Sequence, residues 1–262
     1  MARRPTVHGY IEFSSDGKYA TKVSAFRQPD RDTTTDDPVQ EITWLAKIDH
    51  PHILPLHGFT IDHKLQKVRA IFEKAPYGDL MDLLLSRKDA LPLQVTIVFM
   101  KQVLSALEYL HDKKQISHMD VSLENILIFG LTTQVKLCDF GCAVESSKGE
   151  SKDRPQHPGK TRYRAPEYFR HPLVYDTQAA DIYSFGICLH ICLLGAMPFD
   201  VAHESDNRFK CFKKRGIRGL LKACHRDKSL SEEAFQVLEA CLQVDPARRA
   251  SAKKILAMQF FA

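Results

Sequence analysis

The chain has 262 residues, of which 44% are apolar and 26% charged, and its formal net charge is +5. These fractions are ordinary for a globular protein, and the length is enough for one large domain or two small lobes. So small a basic excess is typical of a solvated surface, and we therefore expect no nucleic-acid partner.

The cysteine and hydropathy patterns bear on the cellular compartment. The seven cysteines include no C-x-x-C pair, which favours a reduced intracellular protein over a disulfide framework. The N-terminus lacks the apolar segment of a secretory signal, and the longest apolar run, 187–199, contains His190 and Pro198 and is too short to cross a bilayer. We expect a soluble protein without a membrane partner, located in the cytoplasm, with the nucleus left open.

The first third of the chain predicts four strands and one helix. The strand-like runs are residues 10–13, 18–23, 54–60 and 68–72. A Ser-Ser-Asp-Gly turn over 14–17 joins the first two runs as a hairpin. A polar loop over 27–37 follows, and Asp37 before Pro38 predicts the start of a helix that ends near His50.

From Asp79 onward, helical periodicity replaces the strand pattern. One apolar stripe at helical spacing consists of Phe99, Val103, Leu107 and Leu110. Residues 182–194 are apolar on nearly all sides, which predicts a buried helix, and one hairpin over 126–138 interrupts the helical part. We therefore predict an α+β fold in which a β-rich part precedes a helical part, with the break near residues 75–78.

Three short motifs in the helical part carry a family resemblance. They are His118-Met119-Asp120 followed by Asn125, then Asp139-Phe140-Gly141, then Ala165-Pro166-Glu167. In this order and spacing they resemble the signature set of the eukaryotic protein kinase family. The resemblance runs from about Val7 to the C-terminus. It implies a single protein kinase domain with a bilobal fold, in which residues 1–75 form a small β-rich N-lobe and residues 76–262 a larger helical C-lobe.

The resemblance implies ATP and Mg²⁺ as cofactors and assigns roles to five residues. Asp120 would accept the proton of the substrate hydroxyl, a contribution of roughly 10²–10⁴-fold in rate. Asn125 and Asp139 would hold Mg²⁺ through oxygen ligands. Lys22 ends a Tyr-Ala-Thr-Lys run that is similar to the family's Val-Ala-Ile-Lys strand motif. An ion pair with Glu41 would hold its ammonium on the α- and β-phosphates.

The resemblance also implies an adenine pocket and two structural contacts. Phe72 would be the gatekeeper, and backbone groups of Glu73 and Ala75 would meet the adenine. The side chains expected to sandwich the base are Val7, Ala20 and Leu127. The apolar column expected to align the lobes on Asp181 consists of Leu45, Leu56, His118 and Phe140. Glu167 would form an ion pair with Arg249.

The glycine-rich loop of the family is absent. If Val7 is the valine that follows that loop, Ala2 and Pro5 stand where two glycines belong, and the first glycine would precede Met1. Backbone N–H groups that close over the phosphates depend on those glycines, and proline has no N–H. We therefore expect the first strand of the N-lobe to be missing and ATP binding to be weak; the alternative is a truncated chain.

Three further departures bear on transfer and regulation. Ser122 replaces the catalytic-loop lysine that contacts the transferred phosphate in Ser/Thr kinases, which predicts slower transfer. Met119 replaces the arginine that binds a phosphorylated activation loop in relatives, which predicts activity without loop phosphorylation. Lys160 stands where Ser/Thr kinases usually have threonine, which leaves the substrate choice open. The phosphorylatable side chains of the loop are Ser146, Ser147, Ser151 and Thr161.

Two functions from different classes fit these residues. The first is a kinase that transfers the γ-phosphate of ATP to serine or threonine of a protein substrate. The alternative is a pseudokinase, a nucleotide-binding or scaffolding module without transfer, which the absent glycine loop and Ser122 favour. A kinase-like enzyme for small molecules is disfavoured, because the segment ending at Glu167 suits a peptide groove. Asp79 and Glu124 are either solvated acids or contacts for a basic peptide, and the oligomeric state is left open.

Overall fold

The computed structural model describes residues 3–6, 9–25, 38–151, 159–170, 173–226 and 230–262. Its N-terminal part is one antiparallel sheet of strands β1 (Arg3–Thr6), β2 (Gly9–Phe13), β3 (Tyr19–Ala25), β4 (Leu56–Asp62) and β5 (Lys67–Glu73). Their order across the sheet is β1-β2-β3-β5-β4. Alternate residues of β5, Val68, Ala70 and Phe72, are buried, as the period of two predicts.

The expectation that the first strand is missing is wrong. Strand β1 pairs with β2, and Pro5 lies in it opposite Tyr10 rather than in a loop over phosphates. The run Arg-Arg-Pro-Thr escapes strand prediction because it has no apolar alternation and contains a proline. Proline is tolerated there because β1 is an edge strand. An ion pair from Arg3 Nη2 to Glu12 Oε1, at 2.8 Å, supports the pairing.

Residues 7 and 8 connect β1 to β2, so no glycine-rich loop stands between these strands. Val7, assigned to the adenine pocket from the sequence, lies outside the described residues. The lack of a glycine-rich loop therefore does not mean that a strand is lost.

Helix α1 (Pro38–Leu45) separates β3 from β4 in the chain. It begins at the predicted proline, but it ends at Leu45 rather than near His50. The N–H groups of Lys47 and Ile48 bond three residues back, to Trp44 O at 3.0 Å and Leu45 O at 3.2 Å. These tighter turns end the helix early.

The C-terminal part is mainly helical. Its longer helices are α2 (Leu80–Arg87), α3 (Leu93–Glu108), α4 (Thr177–Leu194), α5 (Asn207–Ala223), α6 (Glu232–Cys241) and α7 (Ala252–Leu256). Three short strand pairs interrupt them: β6 (Ile116–Ser117) with β9 (Val144–Glu145), β7 (Ile126–Gly130) with β8 (Gln134–Leu137), and β10 (Lys148–Ser151) with β11 (Leu173–Asp176). The predicted hairpin over 126–138 is thus confirmed as β7 and β8.

Two helices form the centre of the C-terminal core. The predicted stripe on α3 and its continuation, Phe99, Val103, Leu107 and Leu110, is fully buried. Helix α4 is buried along most of its length. Among the described residues, 93–114 and 177–194 are long and apolar enough to cross a membrane, with 44% and 83% of their apolar windows already buried in the protein. Core helices of globular proteins pass the same test of length and composition, so this is weak evidence for a membrane span.

The expected ion pair between Glu167 and Arg249 joins distant parts of the helical region. Arg249 Nη1 and Nη2 each lie 2.6 Å from one carboxylate oxygen, and both side chains are almost completely buried. Arg249 also donates to Ala179 O at 3.0 Å and to Gln243 O at 2.8 Å. The guanidinium therefore ties the segment after Ala165-Pro166 to α4 and to the loop after α6.

We predict that Arg249→Met lowers the free energy of unfolding by about 3–5 kcal/mol, because it leaves the Glu167 carboxylate buried without its cation. Urea unfolding followed by far-UV circular dichroism measures the change. Arg248→Met is the matched control, since Arg248 is exposed, and it should stay within about 0.5 kcal/mol of the unmodified protein. Equal unfolding midpoints for the two variants would contradict the prediction.

Candidate active site

A sharp turn after β6 presents the His118-Met119-Asp120 segment. The carboxylate of Asp181 on α4 accepts the backbone N–H of His118 at 2.7 Å and of Met119 at 2.8 Å. Met119 has a φ of 63°, a left-handed conformation that costs a non-glycine residue about 1–3 kcal/mol. The two hydrogen bonds to buried Asp181 stabilise this conformation, which directs Asp120 out of the core.

Asp120 and Asn125 are held against each other. Asn125 Nδ2 donates to Asp120 O at 2.8 Å and to Asp120 Oδ2 at 2.7 Å. The backbone N–H of Lys160 donates to Asp120 Oδ1 at 2.9 Å. The carboxylate is therefore fixed from two parts of the chain, and the Asn125 amide oxygen is left as an acceptor.

Asp139 follows β8, the strand that pairs with β7. Its φ of 67° is again left-handed, and the preceding residue is tied in place by a bond from Cys138 N to Asn125 O at 2.9 Å. Burial alone would raise the pKa of Asp139, but the Lys22 ammonium holds that pKa below its usual value. Asp139 is therefore a carboxylate at neutral pH.

Lys22 on β3 joins two acidic residues from separate parts of the chain. Its Nζ lies 2.8 Å from Glu41 Oε2 on α1 and 2.7 Å from Asp139 Oδ1. The expected Lys22–Glu41 pair is thus present, and the Lys22–Asp139 contact is an addition that the sequence did not predict. Glu41 is almost completely buried, so it needs this cation to remain charged.

Trp44 also positions α1, a role that the sequence did not predict. Its Nε1 donates to Ala143 O at 3.1 Å, across 99 positions of the chain. This bond fixes the helix that carries Glu41 against the segment that follows Asp139-Phe140-Gly141. In the sequence, the role of Trp44 was indicated only by its place beside Leu45 in an amphipathic helix.

Two members of the expected apolar column, His118 and Phe140, are in direct contact. The rings of His118 and Phe140 lie 4.8 Å apart in an edge contact, and His118 Nε2 lies 3.0 Å from Cys138 O. Leu45 and Phe140 belong to one buried core, and Leu56 packs against that core. The column rests on Asp181 through the backbone of His118.

Of the residues assigned to the adenine pocket, Phe72 and Glu73 end β5, and Ala75 follows that strand. Ala20 on β3 is directly opposite Phe72, and the backbone at Leu127 on β7 pairs with Asp79. A bond from Lys74 N to Lys18 O, at 2.8 Å, holds the connection against β3. Their contact with adenine stays a prediction.

Glu73 and Ala75, whose backbone groups were assigned to the adenine, differ in their side-chain surroundings. The carboxylate of Glu73 forms an ion pair with Lys136 on β8. Ala75 is half-buried. The groups assigned to contact adenine are the backbone groups of Glu73 and Ala75. The ion pair involves the Glu73 side chain and not these backbone groups.

Asp79 and Glu124 are not freely solvated. Asp79 caps α2 by accepting Asp82 N at 2.9 Å, and it lies 3.7 Å from Arg4 Nη2 on β1. Its burial raises the pKa of its carboxyl above the usual value. Glu124 accepts the Tyr163 hydroxyl at 3.0 Å. Each carboxylate thus has a local partner.

The contact between Lys160 and the Asp120 region was not predicted. Lys160 Nζ lies 2.7 Å from Asp120 Oδ2 and 3.0 Å from Ser122 Oγ. The sequence did hold a signal, because it lacks a lysine at 122 and has an unexpected one at 160. Nothing in the spacing of 38 residues shows that the two positions meet.

Comparison with known proteins gives a consistent assignment. The model of the protein kinase domain family matches residues 5–261. The chain is 32% identical to mouse serine/threonine-protein kinase ULK3 over 271 residues, which cover 97% of the chain and 55% of the relative. It is 32% identical to zebrafish maternal embryonic leucine zipper kinase over 216 residues, which cover 82% of the chain and 30% of the relative.

The chain thus spans about half the length of the ULK3 relatives that it matches. The family match covers nearly all of the chain, and the two-part architecture, the five-stranded sheet and the motif geometry all agree with it. The chain belongs to the protein kinase family.

Proposed function

We propose that this chain is an ATP- and Mg²⁺-dependent kinase that transfers the γ-phosphate to serine or threonine of a protein substrate. The observation that carries the proposal is the double contact of Lys22 with Glu41 and Asp139. It unites the strand, the helix and the loop that must cooperate in phosphoryl transfer. The serine/threonine-protein kinases among the relatives support the choice of hydroxyl substrate.

The metal ligands fit the donor set that Mg²⁺ prefers. Asp139 is ionised, and Asn125 donates through its nitrogen, which leaves its amide oxygen to bind a cation. Bound Mg²⁺ neutralises charge on the phosphates. Lys22 would bind the non-transferred phosphates, with Glu41 keeping its ammonium in position.

Asp120 is the group that would act on the protein substrate. Asn125 and the backbone of Lys160 hold its carboxylate in one orientation, so the loss of conformational freedom on binding a hydroxyl is small. In the proposed reaction Asp120 orients the serine or threonine hydroxyl and accepts its proton.

The competing function is a pseudokinase, and one observation favours it. Between β1 and β2 the sequence has only Val7 and His8, so it lacks the glycines on which a phosphate-covering loop depends. Against it stands the retention of two groups of contacting residues, Lys22 with Glu41 and Asp139, and Asp120 with Asn125. A scaffold has no physical need of this cluster of charges.

We further propose that activity does not depend on phosphorylation of the activation segment. Met119, which stands where relatives carry a phosphate-binding arginine, is buried and apolar. Hydroxyl contacts hold the segment instead: Ser117 Oγ lies 2.8 Å from Thr177 Oγ1 and 3.0 Å from Ser146 Oγ. Ser147 N adds a bond to Thr177 Oγ1 at 2.9 Å.

The strand pair β10–β11 reinforces this arrangement. Its ladder joins Lys148 through Ser151 to the chain just before α4. The start of the activation segment is thus hydrogen-bonded to the helical part through backbone and hydroxyl groups.

We predict that Asp120→Asn lowers kcat for phosphate transfer to a basic protein by roughly 10²–10⁴-fold, because the amide cannot accept the hydroxyl proton. Incorporation of labelled γ-phosphate measures this. Asp112→Asn, at an exposed position outside the site, is the control and should retain full activity. Absence of transfer by the unmodified protein, together with ATP-dependent thermal stabilisation, would establish the pseudokinase instead.

Phosphatase treatment should leave the rate of transfer unchanged, because Met119 has no positive charge with which to bind a phosphorylated side chain. The comparison uses the same preparation before and after treatment, with mass spectrometry to verify removal of phosphate. A large loss of activity that returns on incubation with ATP would refute phosphorylation-independent activity.

A further inference from the structure

Lys160 brings a cation to the proposed base from outside the catalytic loop. It lies between Asp139-Phe140-Gly141 and Ala165-Pro166-Glu167, 40 positions after Asp120. Its backbone and its side chain bind different oxygens of the Asp120 carboxylate, at 2.9 and 2.7 Å. Two bonds to one carboxylate fix both the path of the chain and the position of the ammonium.

The ammonium remains charged in this position. Burial alone would lower the pKa of Lys160, but Asp120 raises it above the usual value, with smaller contributions from Glu124 and Asp139. The side chain is 37% exposed, so part of it is open to solvent. The ammonium is a fixed cation at the edge of the site and is not enclosed in the core.

The distance to Asp120 determines what this cation can contact. A hydroxyl bound to Asp120 for proton transfer lies about 2.6–3.2 Å from the carboxylate. The Lys160 ammonium, 2.7 Å from Asp120 Oδ2, would share this carboxylate with the hydroxyl, which would place it within reach of the attacking oxygen and of the phosphoryl group. Lys22 is engaged elsewhere, since its ammonium pairs with Glu41 at 2.8 Å and with Asp139 at 2.7 Å.

We propose that Lys160 is a catalytic residue whose ammonium contacts the transferred γ-phosphoryl group and stabilises the charge of the transition state. The proposal rests on the kinase function proposed above. Ser122 anchors the ammonium through its hydroxyl, at 3.0 Å. The positive charge that the catalytic loop lacks at Ser122 is thus supplied from the activation segment.

The atoms and protons of the transfer balance without any proton gained or lost by Lys160. A bond forms between the substrate hydroxyl oxygen and the γ-phosphorus, and the bond from that phosphorus to the β,γ-bridging oxygen breaks. The hydroxyl proton passes to Asp120, and ADP leaves with the bond's electron pair. Lys160 donates hydrogen bonds throughout and loses no proton.

This assignment changes the expectation drawn from Ser122. Ser122 is fully buried beneath the contact with Lys160, so its small side chain makes room for the ammonium. The serine at position 122 and the lysine at position 160 then belong together, because the cation expected at 122 stands at 160 instead. Slow transfer no longer follows from Ser122 alone.

The test moves the cation back to the catalytic loop. Lys160→Met should lower kcat by about 10²–10³-fold, the loss typical of removing one donor to transition-state charge. Lys160→Arg retains the charge and should retain more activity than Lys160→Met. The double variant Lys160→Thr/Ser122→Lys should recover at least about tenfold over Lys160→Met, since a donor placed at the developing charge is what restores rate.

The measurements are single-turnover transfer to a basic protein and the KM for ATP, with thermal unfolding to verify that each variant is folded. Lys214→Met, an exposed lysine on α5, is the matched control and should behave as the unmodified protein. If the role of Lys160 were merely structural, Lys160→Met would lower the unfolding temperature. In that case kcat would not recover in the double variant.

Each outcome decides the proposal. A loss in kcat with an unchanged KM for ATP, and recovery in the relocated variant, supports it. An unchanged kcat in Lys160→Met overturns the proposal. An increased kcat also overturns it, because it would show that Lys160 blocks Asp120. A folded double variant without recovery also overturns it. If the unmodified protein and Asp120→Asn both transfer nothing, the kinase function itself fails, an outcome distinct from loss of the Lys160 role alone.

Discussion

The buried carboxylate of Asp181 is the constraint on which the active-site geometry depends. It accepts two consecutive backbone N–H groups, from His118 and Met119, and also contacts His111 Nε2 at 2.9 Å. Met119 can keep its left-handed conformation because those bonds are short and shielded from water. Asp181 thus connects the rigid core helix α4 to the position of Asp120. Without it the turn would relax, and the proposed base would lose its fixed orientation.

Charge pairing across the cleft is the second constraint. Lys22 is shared by Glu41 and Asp139, so a single ammonium joins the β-rich part, α1 and the loop after β8. Lys160 forms a second such pair, with Asp120. The contacts of Lys22 therefore form only when the β-rich part and the loop after β8 are packed together.

Local sequence patterns predicted much of this site. The segment 118–125 and the triplet 139–141 are short motifs whose chemistry is encoded in consecutive residues. The hairpin of β7 and β8 and the buried α4 followed from turn chemistry and hydropathy for the same reason. Lys22 and Glu41 were assigned through the resemblance to the kinase family, since neither residue stands out in isolation. The roles of these residues in binding ATP and Mg²⁺ remain predictions.

The features that escaped prediction depend on contacts between distant residues. Strand β1 is polar and contains Pro5, so only its pairing with β2 identifies it as a strand. Trp44 meets Ala143, and Lys160 meets Asp120, because the fold brings them together and not because of their spacing. The early end of α1 follows from three-residue turns that hydropathy does not distinguish from continued helix.

Phosphate transfer with identification of the acceptor atom is the most direct test of the central claim. The chain is incubated with Mg²⁺, a basic protein and ATP carrying ¹⁸O in its γ-phosphoryl group, and tandem mass spectrometry locates the label. The account predicts labelled phosphate on serine or threonine side chains of the substrate, dependent on Mg²⁺. Substrate that remains unlabelled, or label on tyrosine alone, would contradict it.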